Sequence, residues 1–282
     1  MRVRFGPAGT PTQYKGNTSG IPRFLGEIGL DAFEYQAVRG VKISGEKAIV
    51  LGREARKHDV KLSLHGPYFI NLNGSRETIE KSVGRLVKSA WAAEKMSAYR
   101  VVFHPGYYGG KTSREAVETI SKSLREAVDE ALRNGIKQFT YSPETMGKLS
   151  TVGTVDEIVE ICLRVGEHAL PTIDFAHIHA RTKGGLKRKE DVLRVIEKVE
   201  GEFGKKAVKP LHCHFTQVEY GERGERKHLV MGEGEPDFRL IAEAFVETGI
   251  DAVVISESPI LEVDALKMKD VFRKVVEASS KD

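Results

Sequence analysis

Cysteine is nearly missing from this chain: Cys162 and Cys213 are the 2 in 282 residues. They lie far apart and form no Cys-x-x-Cys pair, which excludes a disulfide framework and a cysteine-ligated zinc site. Cys162, within EIVEICLRV, reads as a buried helix residue. The chain also has no uninterrupted apolar run of the ~18 residues that a membrane helix needs. The opening MRVRFGPAG lacks the apolar segment of a signal peptide, so a cytoplasmic protein with no membrane partner is expected. Charge of one sign is not in large excess: Lys and Arg number 44 against 40 Asp and Glu, and the net +4 permits an anionic partner without demanding one. No Pro/Gly/Ser-rich linker divides the sequence, and 40% hydrophobic residues suffice for one large core.

What is present is a regular alternation. Short apolar runs at Val3–Phe5, Ala32–Tyr35, Val60–Leu64, Arg100–Phe103, Lys137–Tyr141, Leu170–Ile173, Ala207–His212 and Ala252–Ile255 read as strands covered on both faces. Between and after them, helical periodicity runs over Ile21–Ile28, Glu46–His58, Arg76–Lys95, Ser113–Leu132, Val155–Val165, Lys189–Val199, Phe238–Glu247 and Val263–Ala278. In the third helix, Val83, Leu86, Val87, Ala90 and Trp91 recur three or four apart and mark one apolar face. Eight strand–helix units predict a single α/β domain over residues 1–282, a (β/α)8 TIM barrel with its active site at the C-terminal strand ends. An open doubly wound sheet would need a phosphate-binding glycine loop, and FGPAGTPTQYKGNTSG after the first strand has neither the GxGxxG nor the GxxxxGK form.

The strand ends carry a common chemistry. PTIDFAHIHA places Asp174 at the end of the sixth strand, with His177 and His179 on the loop that follows. LSLHG places His65 after the third strand, VVFHPG places His104 after the fourth, and SPET places Glu144 after the fifth. LHCHF offers His212 and His214 on the seventh, and VISESP offers Glu257 on the eighth, while the loop between them adds His228, Glu225 and Glu233. Closing a barrel gathers these groups around one cavity. Unpaired carboxylates crowded there repel one another and raise each other's pKa, and cations remove that cost. Imidazole and carboxylate ligands suit zinc, and manganese accepts many of them. One zinc needs three protein ligands and a water, whereas seven or eight groups converge, so two or three ions are expected. Such clusters catalyse in-line attack at phosphorus. Glu144, near the middle of the strand order, is the expected bridge. A basic loop of Arg181, Lys183, Lys187, Arg188 and Lys189 follows the sixth strand and can take phosphates.

At these residues the chain resembles the endonuclease IV family of apurinic/apyrimidinic endonucleases, within the xylose isomerase-like barrel superfamily. HGPYFINL is similar to the family's His-x-x-Tyr-Leu-Ile-Asn-Leu segment, FHPG matches its counterpart, and IDFAH resembles the Asp-x-x-His pair. PET, GEG and SESP resemble the fifth-strand Glu segment, the loop after the last histidine and the eighth-strand Glu-Ser/Thr-Pro. The resemblance implies a trinuclear zinc enzyme that cleaves DNA 5′ to an abasic site in base excision repair. His65, His104 and Glu144 would hold one ion, and Glu144, Asp174, His212 and Glu257 a second. His177, His228 and an Asp two residues before His228 would hold the third. His212 is preferred to His214 because the apolar residues before it match better. Glu144 and Glu257 would serve catalysis, and Tyr68, Arg39, Arg181 and Lys183 would contact duplex DNA, with the chain acting as a monomer. One departure stands out: Arg226 occupies the expected Asp position, which should weaken the third site unless Glu225 substitutes through a one-residue shift. A sugar isomerase or epimerase using Glu144, Asp174, His212 and Glu257 on one ion is the alternative, and a catalytically silent metal- or DNA-binding homologue is a third.

Overall fold

The computed structural model describes residues 1–280. Strands β1 (Val3–Pro7), β2 (Ala32–Gln36), β3 (Lys61–His65), β4 (Val101–Phe103) and β5 (Tyr141–Pro143) are followed by β6 (Ile173–Asp174) and β7 (Leu211–Phe215). A hairpin of β8 (Gln217–Gly221) and β9 (Gly224–Leu229) comes next, and β10 (Ala252–Ser256) completes the barrel. The barrel strands pair in parallel as two arcs, β1-β10-β7-β6 and β2-β3-β4-β5. Bridges Ala8 to Glu34 and Glu144 to Thr172 join the arcs at both seams, so the eight strands close. At the first seam, β1 comes so near β2 that a Cβ on Gly6 would stand 1.7 Å from the Ala32 carbonyl oxygen. Only glycine fits that approach.

Helices α1 (Ile21–Glu27), α2 (Gly45–Lys57), α3 (Arg76–Met96), α4 (Ser113–Arg133) and α5 (Val155–Val165) form the outer ring. The short α6 (Phe175–Arg181) packs against β7 and the β8–β9 hairpin, and the ring continues with α7 (Lys189–Phe203), α8 (Phe238–Thr248) and α9 (Glu262–Ser279). Their starts are set locally. Ser44, Ser75, Thr112 and Thr154 cap α2 to α5, and Thr112 with Glu115 and Thr154 with Glu157 form reciprocal capping boxes. Helix α3 buries Val83, Leu86 and Ala90 of the face expected from its spacing, together with Ile79 and Ala93, leaves Val87 and Trp91 half-buried, and ends where Ser97 turns left-handed at φ 57°. Each large aliphatic side chain so buried contributes about 2 kcal/mol.

Four expectations change. The fifth strand is Tyr141–Pro143 rather than Lys137–Tyr141, because the Glu94 carboxylate accepts from the backbone N–H groups of Lys137 (2.7 Å) and Gln138 (2.9 Å) and holds them as a loop. The seventh begins at Leu211 instead of Ala207, since Gly204–Ala207 forms a 3-10 turn and Pro210, which has no N–H to give a ladder, precedes the strand. Residues 175–181 are helical instead of a loop, with Asp174 Oδ1 accepting from the His177 N–H at 2.7 Å as its cap. The loop expected after the seventh strand is in part the β8–β9 hairpin. Among the described residues no helix is long and apolar enough to cross a membrane.

Candidate metal centre

Parallel pairing brings His65, Asp174 and His214 to the C-terminal ends of β3, β6 and β7, and His104, Glu144 and Glu257 leave β4, β5 and β10 just beyond theirs. Three groups of ligand atoms result, each within 4.8 Å: His65, His104 and Glu144; Glu144, Asp174, His214 and Glu257; and His177, His228 and Glu257. Glu144 faces two ways. Its Oε2 lies 3.4 Å from His65 Nε2 and 3.3 Å from His104 Nε2, while Oε1 lies 3.2 Å from His177 Nδ1 and 3.3 Å from His214 Nδ1. Glu257 Oε1, 3.4 Å from His214 Nδ1, belongs to two of the groups.

The preference for His212 is corrected. Because β7 runs on to Phe215 instead of stopping at His212, His214 is the histidine at the mouth, and its ring meets Glu144 and Glu257. His212 faces the same interior one layer deeper, as residues two apart on a strand must. There it meets Glu34 and Tyr99.

At Arg226 the hairpin has the one-residue shift that brings Glu225 inward. In the hairpin, Glu219 pairs with Lys227 and Tyr220 with Glu225, so Arg226 is an extra residue in a β-bulge. Residues three apart on a regular strand face opposite sides, and one inserted residue returns them to the same side. Glu225 therefore joins His228: its Oε1 lies 3.4 Å from His228 Nε2 and its Oε2 3.4 Å from His177 Nε2. Arg226 points outward, 62% exposed, 3.7 Å from Glu219. Gly147 allows this approach, since a Cβ there would stand 2.7 Å from Glu225 Cβ.

The histidines are oriented from behind. His65 Nδ1 faces the Gly66 carbonyl (2.8 Å), His177 Nδ1 that of Thr145 (2.9 Å), and His228 Nδ1 that of Glu257 (3.0 Å). A carbonyl only accepts, so each Nδ1 carries the proton and each Nε2 is left for the cavity. The charges are poised for cations. Burial opposes the charge on Glu144, yet His214, His104 and His177 hold it well below the usual carboxylate range. Against the same burial, Asp174 and Glu144 raise His177 well above an ordinary histidine, and a hydrogen bond donated to Glu225 with the charge of Glu257 raises His228 to about 9. Burial pushes Asp174 up to about 6, and its Oδ2 is buried without a hydrogen-bond donor. An orphaned carboxylate oxygen among imidazoles and acids, with no lysine in any of the groups, fits divalent metal ions.

Above the groups lies a cavity of about 330 Å³, with Tyr68, Tyr107, Met146 and Lys148 on its wall. Tyr68 is 51% exposed and stacks on His104 with ring centroids 5.2 Å apart. Other residues expected at a nucleic-acid surface are placed differently. Arg181 is turned inward, donating to the carbonyls of Lys148 (2.7 Å), Thr151 (3.0 Å) and Met146 (3.3 Å), so its guanidinium is engaged by the 146–151 loop. Lys183 pairs with Glu222 and Lys189 with Glu247, while Arg39, Lys187 and Arg188 are exposed. His179 meets Glu235 and the Tyr220 ring, outside the three groups. Glu34 was missed, although a lone acid in the apolar run AFEYQ was the signal available, because charged residues are seldom fully buried without a partner.

A sequence profile described as xylose isomerase-like TIM barrel matches residues 22–275. An uncharacterized protein of Methanocaldococcus jannaschii is 32% identical over 96% of this chain and 97% of its own. A probable endonuclease 4 of Staphylococcus carnosus is 30% identical over 67% of this chain and 64% of that protein. Among solved structures, endonuclease IV from Thermus thermophilus superposes with a TM-score of 0.73 at 22% identity, over 98% of this chain and 99% of the other. A D-tagatose 3-epimerase-like protein gives 0.68 at 22%, over 92% and 93%. At these identities the two structures show the fold, which nuclease and epimerase share.

Proposed function

Because this chain belongs to the xylose isomerase-like TIM barrel family, whose fold serves more than one chemistry, we propose from its site that it is a metal-dependent phosphodiesterase cutting DNA 5′ to an abasic site. The observation that carries this reading is the number of ligands. A one-ion isomerase accounts for Glu144, Asp174, His214 and Glu257 and leaves His65, His104, His177, His228 and Glu225 without a purpose. Eight groups in three sets joined by Glu144 and Glu257, with Glu225 beside the third, suit two or three closely spaced zinc ions, with manganese accepted by the same donors.

When bound, such ions neutralise phosphate oxygens and activate water for in-line displacement. The chain's own residues position the reactants. Glu144, with an oxygen toward each side, keeps two ligand groups in register. Nδ1 protons on His65, His177 and His228 stay on backbone carbonyls and hold the rings still. Tyr68 and Tyr107, about half exposed on the rim, offer aromatic faces to the gap left by a missing base, and Lys148 offers a cation to a phosphate.

The test is a duplex with one abasic site. Metal-loaded protein should nick it on the 5′ side of the lesion and spare the intact duplex, since a missing base costs nothing to unpair. Glu144→Gln should abolish the cut. A protein holding at least two ions that leaves the abasic strand whole over a broad range of pH and salt would overturn the proposal. One tightly held ion per chain, with epimerisation of a ketose, would establish the sugar enzyme, a reading favoured by the self-sufficient group of Glu144, Asp174, His214 and Glu257.

A further inference from the structure

His214 differs from His65, His104 and His228 in which nitrogen faces inward. It differs from His177, whose Nδ1 also nears Glu144, because there a backbone carbonyl sits on Nδ1 and the Glu225 carboxylate of the cavity mouth on Nε2. Its Nδ1 points to Glu144 and Glu257, whereas His65 and His228 turn Nε2 toward their carboxylates. The nitrogen behind differs as well. His65, His177 and His228 rest on backbone carbonyls, but His214 Nε2 rests on a side chain, 3.2 Å from Glu34 Oε1 and 3.3 Å from Oε2. An ionised carboxylate only accepts, so this contact puts the proton on Nε2 and leaves Nδ1 to the cavity.

Glu34 is fully buried and is itself held from several sides. Ser63 Oγ donates to its Oε2 at 2.8 Å, Gln36 Nε2 donates to Oε1 at 3.1 Å, and His212 Nε2 lies 3.1 Å from Oε2. With His214 these make four donors for a carboxylate that has about four acceptor directions. Glu34, His212 and His214 lie close enough to hold a cation of their own, but a cation there would have to displace those donors. Behind His212, the Tyr99 hydroxyl meets Nδ1 at 2.7 Å. With the Tyr99 hydroxyl donating to Nδ1 and His212 Nε2–H donating to Glu34, every polar atom in this series of contacts is satisfied.

We propose that Glu34 is the positioning residue of the metal centre, fixing His214 with Nδ1 toward Glu144 and Glu257, and that Tyr99 and His212 hold Glu34 in place from below. The inference rests on metal binding at the Glu144–Asp174–His214–Glu257 group and not on the identity of the substrate. Carboxylate-to-histidine contacts of this kind orient the ring and strengthen it as a ligand, and losing one costs about 10–100-fold in metal affinity. A glutamine at position 34 has the same shape but only one acceptor oxygen, and its NH2 would confront a donor, so it cannot replace the carboxylate.

Zinc competition against a chromophoric chelator, on full-length wild type, Glu34→Gln and Tyr99→Phe, tests this. Wild type should hold at least two ions. Glu34→Gln should weaken one of them by about 10–100-fold, and long-range proton–nitrogen spectra of the zinc-loaded protein should show the His214 Nε2–H signal lost or mixed. Tyr99→Phe should weaken the same ion by a smaller factor. If Glu34→Gln does not fold, Tyr99→Phe decides: a weakened ion with a wild-type circular dichroism spectrum supports the positioning role, and an unchanged affinity overturns it. A folded Glu34→Gln protein with wild-type affinity and His214 signals also overturns it, while leaving the metal centre standing. Wild type that binds no zinc would remove the metal centre, and the inference with it.

Discussion

If the bulge at Arg226 turns Glu225 into the cavity, three changes in neighbouring residues should have sharply different effects on metal binding. Arg226→Asp supplies an acid two residues before His228, but on a side chain that points outward and is 62% exposed, so it should leave metal content as it was. The change also removes the contact to Glu219, an exposed pair at 3.7 Å worth about 0–1 kcal/mol. Glu225→Gln keeps the backbone and removes the charge 3.4 Å from both His177 and His228. Loss of a mere outer partner of a metal site costs about 10–100-fold in affinity. Removing a carboxylate that itself faces the ion should cost at least about 100-fold, roughly 2.8 kcal/mol. Deleting Arg226 should instead keep the ion, since Glu225 and His228 would then stand two apart on a regular strand and face the same side. Metal analysis after equilibration against a zinc buffer, with circular dichroism as the folding control, reads all three. Glu225→Gln should lose the weakest ion while Arg226→Asp and the deletion keep the wild-type count. A gain of metal in Arg226→Asp, or no loss in Glu225→Gln, would refute the register argument.

Stability should respond at Glu157, whose carboxylate accepts from Tyr108 Oη (2.6 Å) and from the backbone of Gly153 and Thr154 (both 2.9 Å). Glu157→Gln should cost about 2 kcal/mol, roughly 4 °C in Tm, measured by thermal denaturation. Burial opposes its charge, but donors led by Ser113 and Tyr108 hold its pKa below the usual range. Its stabilisation is therefore complete above the ordinary glutamate pKa and is lost as pH falls through the lower folded value. The gap between wild type and Glu157→Gln should accordingly shrink from pH 7 to about pH 3, and a constant gap would contradict it. Tyr68→Ala should lower affinity for an abasic duplex about tenfold by loss of stacking, whereas Tyr68→Phe should retain it in a fluorescence anisotropy titration. Arg181→Ala should leave the salt dependence of DNA binding unchanged and lower Tm instead, because its guanidinium holds the 146–151 loop and not a phosphate.

The barrel was legible because its signals are local and repeated. Helix α4 shows why: Thr112 and Glu115 mark its start, and Ile120, Leu124 and Ala127 mark its inner face, all within one segment of sequence. Strand ends were less legible where the stopping signal comes from elsewhere in the chain. The Glu94 carboxylate that keeps Lys137 and Gln138 out of the sheet stands more than forty residues earlier, at the end of α3. Helix α6 is only seven residues long and begins at a cap that also faces the cavity, so its apolar positions are too few to show a period.

The same distinction decides which parts of the centre can be read from sequence. Strand-end histidines and acids announce themselves because barrel closure gathers strand ends whatever the loops do. The choice between His212 and His214 depends on where β7 ends, and a strand that runs on to Phe215 brings His214 instead of His212 to the mouth. The partnership of Glu225 with His228 depends on one unpaired residue in a hairpin ladder, a feature with no composition of its own. Glu34 is the most instructive. It stands on β2 and meets His214 on β7 across the barrel interior, so no motif contains both residues. Its visible mark was the wrongness of a charge in a buried strand, and buried charge in a closed barrel is tolerated only when several donors converge on it. A lone acid in an apolar barrel strand is therefore a reason to look for the histidines it faces.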